Sequence, residues 1–179
     1  MKPQDILLLL KLVSIQTPER DDWTDPALIA LHSVRALALS TGISKSEVAL
    51  SLQRSFANGL ARRDVRTDIP LPVRPALIEF LTHGLRYVYP ATPGPLTRGM
   101  MTGGAAIPGP ARLTAGDALA PVWPDPAGRG GGPAVVPLFW SAPDAAREDA
   151  RLYALLAAVD GVRLGEPDAA KRLAAVIAG

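Results

Sequence analysis

The sequence predicts an α+β protein with a helical N-terminal unit, a middle layer of short strands and a C-terminal helical hairpin. Three observations point there. Residues 33–64 carry two short stretches of helical apolar spacing, separated by Gly42 and followed by the basic pair Arg62-Arg63. Eleven of the 18 prolines and ten of the 16 glycines fall within residues 90–143, a density that excludes long helices there. Beyond them, Leu152, Leu155, Leu156 and Val159, and then Leu173, Val176 and Ile177, return to helical spacing. The expected division is residues 1–72 as one unit and residues 73–179 as an α+β region, separate from the first or continuous with it.

Residues 4–15 open with Ile6, Leu7, Leu8, Leu9, Leu10, Leu12, Val13 and Ile15. A surface helix has one apolar stripe, whereas this one is apolar nearly all round and must be covered on several sides. Two coverings are open: the rest of its own chain, or its own domain together with a second copy across a homodimer interface. Asp5 precedes the run, Lys11 interrupts it and no small-residue cleavage site follows, so a signal peptide is not expected. No stretch approaches the roughly 20 apolar residues that span a bilayer. Pro18 and the carboxylates Glu19, Asp21, Asp22 and Asp25 read as a solvated loop before a helix starting at Pro26, without partners at metal-ligand spacing.

Within residues 33–64, Leu37 and Ala38 lie on a first short helix, Gly42 at a turn and Ile43 directly after it. Ala38 is small where two helices approach closely, and Gly42 can adopt the left-handed conformation such a turn needs. Ser44 with Glu47 has the spacing of a capping box, worth about 1 kcal/mol. Val48, Leu52 and Phe56 then form the buried stripe of a second helix, which Asn58-Gly59 ends. Leu60-Ala61-Arg62-Arg63 reads as a short strand leaving it. This is the pattern of a helix-turn-helix, whose second helix can enter a DNA major groove. A plain helical hairpin packed in a core shares much of it.

The run from Leu37 through Gly42-Ile43-Ser44, Lys45-Ser46-Glu47-Val48, Leu52 and Asn58-Gly59-Leu60 to Arg62-Arg63-Asp64 resembles winged helix-turn-helix transcriptional regulators of the MarR and GntR kind, over residues 25–70. The resemblance implies that the stretch from Ser44 to Val48 opens a recognition helix and that Gly59-Leu60 leads into a wing. It implies double-stranded DNA as partner, with Ser44, Lys45, Ser46, Ala49, Leu50, Gln53 and Arg54 at the helix and Arg62, Arg63 and Arg66 at the wing. It also implies a homodimer, because two-fold symmetry lets two such helices meet successive major grooves ~34 Å apart. The chain departs from the pattern at Ala49 and Leu50, where such families usually place polar or basic side chains. Apolar groups can touch a thymine methyl but cannot hydrogen-bond a base edge. The alternative is therefore a non-DNA interaction module, adaptor-like or antitoxin-like, that uses the same face for a protein. On the DNA reading, Lys45→Ala with Arg54→Ala should weaken duplex binding at least roughly tenfold without unfolding the chain.

Downstream, residues 75–83 are expected to form a helix begun by Pro75 and capped by Gly84, with Leu77, Ile78, Phe80 and Leu81 apolar. Arg86 to Tyr89 alternates and reads as a strand, the first of several short strands within residues 85–140. The segment from Val122-Trp123, through the glycines at 128–132, to Phe139 suggests a hairpin with a wide glycine turn. Gly130-Gly131-Gly132 is not a phosphate loop, since no Lys-Ser/Thr follows and no helix opens after it. Leu96, Met100, Met101, Ile107 and Val122 make a bare linker implausible. Helices are expected over 144–160, stopped by Gly161, and over 167–178.

Charge is informative only locally. The chain has 19 Lys and Arg against 17 Asp and Glu, but residues 35–66 hold six cations and two acids, 6 − 2 = +4. Such a patch can neutralise several phosphates and makes binding salt-dependent. A hydrophobic content of 48% excludes a mainly disordered chain. The absence of cysteine excludes disulfides, thiol nucleophiles and cysteine-based zinc sites, and fits the cytoplasmic location expected. No metal or cofactor is expected. Enzymatic motifs such as G-x-S-x-G are missing, and the best catalytic guess, His83 with Arg86 and Arg98 around an anion, is weak; the expectation is no enzyme.

Overall fold

The computed structural model describes residues 1–16, 24–106 and 119–178. The fold is α+β, with helices and two small antiparallel sheets. The elements are α1 (Pro3–Ile15), α2 (Pro26–Leu31), α3 (Val34–Thr41), α4 (Lys45–Ala57), β1 (Ala61–Arg63) and β2 (Pro70–Pro72). There follow α5 (Arg74–Glu79), a π-helical turn (Phe80–Gly84), α6 (Leu85–Val88), β3 (Leu96–Met101), β4 (Val122–Pro124), β5 (Gly130–Pro133), α7 (Ala142–Arg147), α8 (Ala150–Leu164) and α9 (Ala169–Ala178). Of the loop after α1, Pro18, Glu19, Asp21 and Asp22 lie outside the described residues, as does Ile107. Asp25 caps α2, its carboxylate accepting from the Ala27 N–H at 2.9 Å.

Helix α1 is the axis of the core. Ile6 to Leu10, Leu12 and Val13 are completely buried within the single chain, under α3, α4, β2 and α8. The covering thus comes from the chain itself, and the expectation that α1 lends a face to a second copy is corrected: no apolar face is left over. One cluster of buried side chains runs from Ile6 through Leu52 and Leu81 to Ile177. The polar groups of α1 are tied as it enters and leaves this cluster. Lys11 Nζ donates to Asp149 Oδ2 at 2.7 Å and Ser14 Oγ to the same oxygen at 2.5 Å. Asp149 in turn caps α8 by accepting from the Leu152 N–H at 2.9 Å. At the far end of α1, Arg74 and Arg151 both donate to the Gln16 carbonyl, at 2.7 and 3.0 Å, where a helix C-terminus favours cations.

The α3–α4 turn is closed from a distance. Gly42 has φ 70°, the left-handed conformation, and a Cβ there would stand 2.8 Å from Ser141 Cβ. Ser141 Oγ donates to the Thr41 carbonyl at 2.5 Å, so the start of α7 seals the turn. Strands β1 and β2 pair antiparallel with Arg62 opposite Leu71. The Val73 N–H to Leu60 and Asp64 N–H to Ile69 bonds show where the ladder bonds fall. Pro70 and Pro72 occupy the alternate positions, where a missing N–H costs nothing.

Five expectations are corrected. Residues 86–89 are not a strand: helix continues through Gly84 to Val88 because Leu77, Leu81 and Leu85, four apart, are all fully buried. Gly84 therefore caps nothing. The expected hairpin of Val122-Trp123 with the stretch up to Phe139 does not form: Val122 and Ala134 meet in one isolated parallel bridge, residues 135–139 are not strand, and β4 and β5 flank β3 in the order β4-β3-β5. Glycines 130–132 are strand rather than turn, and at Gly132 a Cβ would stand 1.8 Å from the Ala120 carbonyl oxygen. Gly161 does not stop the penultimate helix: α8 runs on to Leu164, burying Val162 and Arg163, and ends at Gly165 with φ 72°. Arg163 thereby reaches the buried Asp160 at 2.5 Å, and that carboxylate also accepts from Trp123 Nε1 at 2.6 Å and Thr102 Oγ1 at 2.8 Å. This polar knot fastens the three-stranded sheet to α8.

Gly42 and Gly59 share φ 70°, but a Cβ on Gly59 meets nothing within 4 Å. Gly59→Ala should therefore show backbone strain alone, about 1 kcal/mol. Gly42→Ala should lose at least ~1 kcal/mol more, the cost of crowding Ser141. Urea unfolding of the two variants side by side checks the difference.

Candidate nucleic-acid interface

The site grows from the way α4 is held. Ser44 Oγ accepts from the Glu47 N–H at 3.3 Å, fixing where the helix starts. The Glu47 side chain does not complete the expected capping box. It turns toward α1, accepting from Gln4 Nε2 at 2.8 Å with Lys2 Nζ at 3.7 Å. Val48 and Leu52 are buried as the spacing predicts, and Phe56 packs against the core. Ser51 and Ser55 are buried beside them, so the inward face is polar as well as apolar.

Arg54 is the main correction among the expected contact residues. Its Nε donates to Asp5 Oδ2 at 2.9 Å and its Nη2 to Asp5 Oδ1 at 2.6 Å, a two-pronged pair with a fully buried carboxylate. Ser51 Oγ and the Lys2 N–H also donate to Asp5, both at 2.7 Å. Burial acts to raise the Asp5 carboxyl, but the bonds from Arg54, Ser51 and Lys2, with the Arg54 charge, hold it below its ordinary value. Arg54 therefore joins α4 to α1, so the expectation that it is replaced without harm to the fold, as in the Lys45→Ala, Arg54→Ala pair, is corrected: Arg54→Ala strands a buried carboxylate. Sequence reasoning missed both Asp5 and Ser51 as its partners. The available signal was Asp5 itself, a lone acid at the head of an otherwise apolar helix.

The outward face of α4 is open. Lys45, Ser46 and Gln53 are exposed, Ala49 is half-buried and Leu50 is 45% exposed. Beside it stands the β1–β2 hairpin. Arg62, Arg63 and Arg66 are all exposed there. Arg63 is partly occupied: its guanidinium lies 4.9 Å over the Phe56 ring and donates to Asp68 Oδ2 at 2.8 Å. The hairpin turn is built by Asp64, whose Oδ1 accepts from Thr67 Oγ1 at 2.8 Å and from the N–H groups of Thr67 and Arg66. The Thr67 hydroxyl first, and then those N–H groups, hold the Asp64 carboxyl below its ordinary range. Both acids of the basic stretch, Glu47 and Asp64, are thus engaged elsewhere. Among the described residues, Arg35, Lys45, Arg62 and Arg66 form no ion pair. The structure brings Ser44, Lys45, Ser46, Ala49, Leu50 and Gln53 together on one helix and sets Arg62, Arg63 and Arg66 on the adjoining hairpin.

The weighed catalytic residues do not assemble. His83 and Arg86 line a hollow of about 220 Å³ with Thr82, Tyr87 and Glu166. Arg98 stands on β3 with its Nε held by the Gly128 carbonyl at 2.6 Å and does not line that hollow. His32 is buried, its Nδ1 2.8 Å from the Leu28 carbonyl oxygen, and burial lowers its pKa. Among the described residues, no group of three or more His, Cys, Asp or Glu could hold a metal, and no helix is long and apolar enough to cross a membrane.

No protein-family model, curated protein or solved structure matches this chain.

Because the folded Asp5 carboxyl lies below its unfolded value, it stabilises the fold above about pH 4, and that contribution is lost as pH falls through the folded value. Arg54→Met should cost about 3 kcal/mol near neutral pH, since it strands a buried carboxylate. The deficit should shrink as the medium is acidified toward about pH 4, and Asp5→Asn in the same chain should recover part of it. Denaturant titrations across pH measure all three.

Proposed function

We propose that this chain binds double-stranded DNA in a sequence-selective manner as a winged helix-turn-helix transcriptional regulator, with α4 as the recognition helix and the β1–β2 hairpin as the wing. The observation that carries the reading is the open outer face of α4, set beside a hairpin on which Arg62 and Arg66 are exposed and form no ion pair among the described residues. Phosphate contacts position such a protein and base-edge contacts specify the site. In this chain Arg35, Lys45, Arg62 and Arg66 are suited to the first task, and Ser46, Ala49, Leu50 and Gln53 to the second. Arg63 can add to the phosphate set only by exchanging Asp68 for a phosphate.

The expected homodimer has no seam on α1. Two copies side by side on DNA would use other surfaces, and the spacing of half-sites reads out their number directly.

A protein partner is favoured by a separate observation between α3 and α7. Leu39 is 78% and Trp140 69% exposed, and both line a hollow of about 270 Å³ beside Gly42, rimmed by Asp144 and Glu148. Exposed aromatic anchors are typical of binding hot spots. On that adaptor reading, Leu50→Arg or Trp140→Ala abolishes a protein complex, whereas Arg62→Ala and Arg66→Ala do not.

On the DNA reading, Lys45→Ala, Arg62→Ala and Arg66→Ala each weaken binding to mixed-sequence duplexes. Each also lowers the slope of log affinity against log salt by roughly 0.9 for every phosphate left without its cation. Fluorescence anisotropy over a salt series measures both quantities. Unchanged slopes in all three variants would remove this surface from contention.

A further inference from the structure

A recognition helix is defined as much by the side chains it lacks as by those it shows. The only arginine on α4, Arg54, is committed to the buried Asp5. The only acid, Glu47, is turned back to Gln4 and Lys2. The groups that most often hydrogen-bond guanine, an arginine fork on O6 and N7, and cytosine, a carboxylate accepting from N4, are therefore missing from the open face. What that face presents, at positions 46, 49, 50 and 53, is a hydroxyl, two apolar side chains and one carboxamide. Helical spacing places these four in one outward stripe, since they are three, four and seven residues apart.

Each remaining group has a preferred base. A carboxamide can pair in two-pronged fashion with adenine N6 and N7, which suits Gln53. The thymine C5-methyl is the one apolar group on a base edge in the major groove, and it suits Leu50 and Ala49. Leu50, nearly half exposed in the free chain, would lose that exposure against such methyls. Lys45, at the first turn, can reach a phosphate or a flanking guanine but cannot by itself read a run of bases.

We infer that α4 selects an A·T-rich core, with Leu50 and Ala49 seated on thymine methyls of neighbouring base pairs and Gln53 on an adenine. The inference rests on the DNA-binding reading above and adds the class of sequence that the same face takes. It also explains why apolar residues occupy positions where comparable helices carry polar ones: they are the reading groups. Selection here works by shape and methyl contact more than by hydrogen bonds.

The decisive probe is thymine replaced by uracil, which deletes the C5-methyl and keeps base pairing and every hydrogen-bonding group. Duplexes are first selected from a random-sequence pool on the full chain, and the strongest is then remade with deoxyuridine at each core thymine. The expected results are an A·T-rich core and an affinity loss of roughly threefold to tenfold at one or two thymines. Leu50→Ala should bind the thymine and uracil duplexes alike, and Gln53→Ala should relax the selected adenine. Both side chains are solvent-facing, so thermal melting of the variants should match the parent chain. Because uracil also alters stacking and groove shape, the Leu50→Ala variant is the control that assigns the loss to the methyl contact. Equal affinity for thymine and uracil duplexes, a selected G·C core, or tight binding without sequence preference overturns the inference and leaves DNA binding intact. Failure to hold any duplex even at low salt overturns both.

Discussion

Burying an all-round apolar helix constrains this molecule more than any other demand. A helix with no polar face must be wrapped, and α1 is wrapped by elements drawn from both ends of the chain: α3, α4 and β2 on one side, α8 on the other. The few polar groups it carries then have to be answered inside the protein. Asp5 is answered by Ser51 and Arg54 from α4, and Lys11 with Ser14 by Asp149 at the head of α8. These links fix both the depth and the rotation of α4 against the core. The rotation decides which side chains of α4 look outward, so the composition of the open face follows from how α1 is buried.

Much of this was legible in the sequence where a local rule was strong. The Ser44 cap, the glycines at 42 and 59 and the Val48–Leu52 stripe each act over a few residues, and the structure places them in those roles. Legibility failed where a distant partner decided the outcome. Arg54 looks like any exposed cation on a helical wheel until Asp5, 49 residues away, is known to face it. Gly84 and Gly161 look like stops, yet burial of Leu85 and Val162 carries each helix past its glycine. The triple glycine at 130–132 reads as a turn because nothing nearby reveals that Ala120 approaches its backbone.

Within the candidate site the division is the same. Exposure of Lys45, Ser46 and Gln53 follows from helical periodicity, whereas Arg62 and Arg63 are both exposed on consecutive strand positions, and Arg54 is held by Asp5. The charge count over the basic stretch changes accordingly: the sequence holds six cations, while Arg54 and Arg63 already hold acids of their own. The cations without an ion pair among the described residues of this stretch are Arg35 on α3, Lys45 at the head of α4, and Arg62 and Arg66 on the hairpin. On the proposed reading such cations would hold a phosphate backbone and leave discrimination to the outward stripe of α4.

The closure of the turn at Gly42 by Ser141, a hundred residues downstream, bears on how the protein comes into being. Residues 1–72 leave the ribosome well before α7 and α8 exist, so α1 emerges without α8, one of the elements that cover it. Until the last third of the chain is synthesised, that leucine-rich segment is exposed to aggregation or to capture by chaperones. A product ended before α7 would lack the Ser141 bond to the Thr41 carbonyl and would keep only the local capping of the α3–α4 turn.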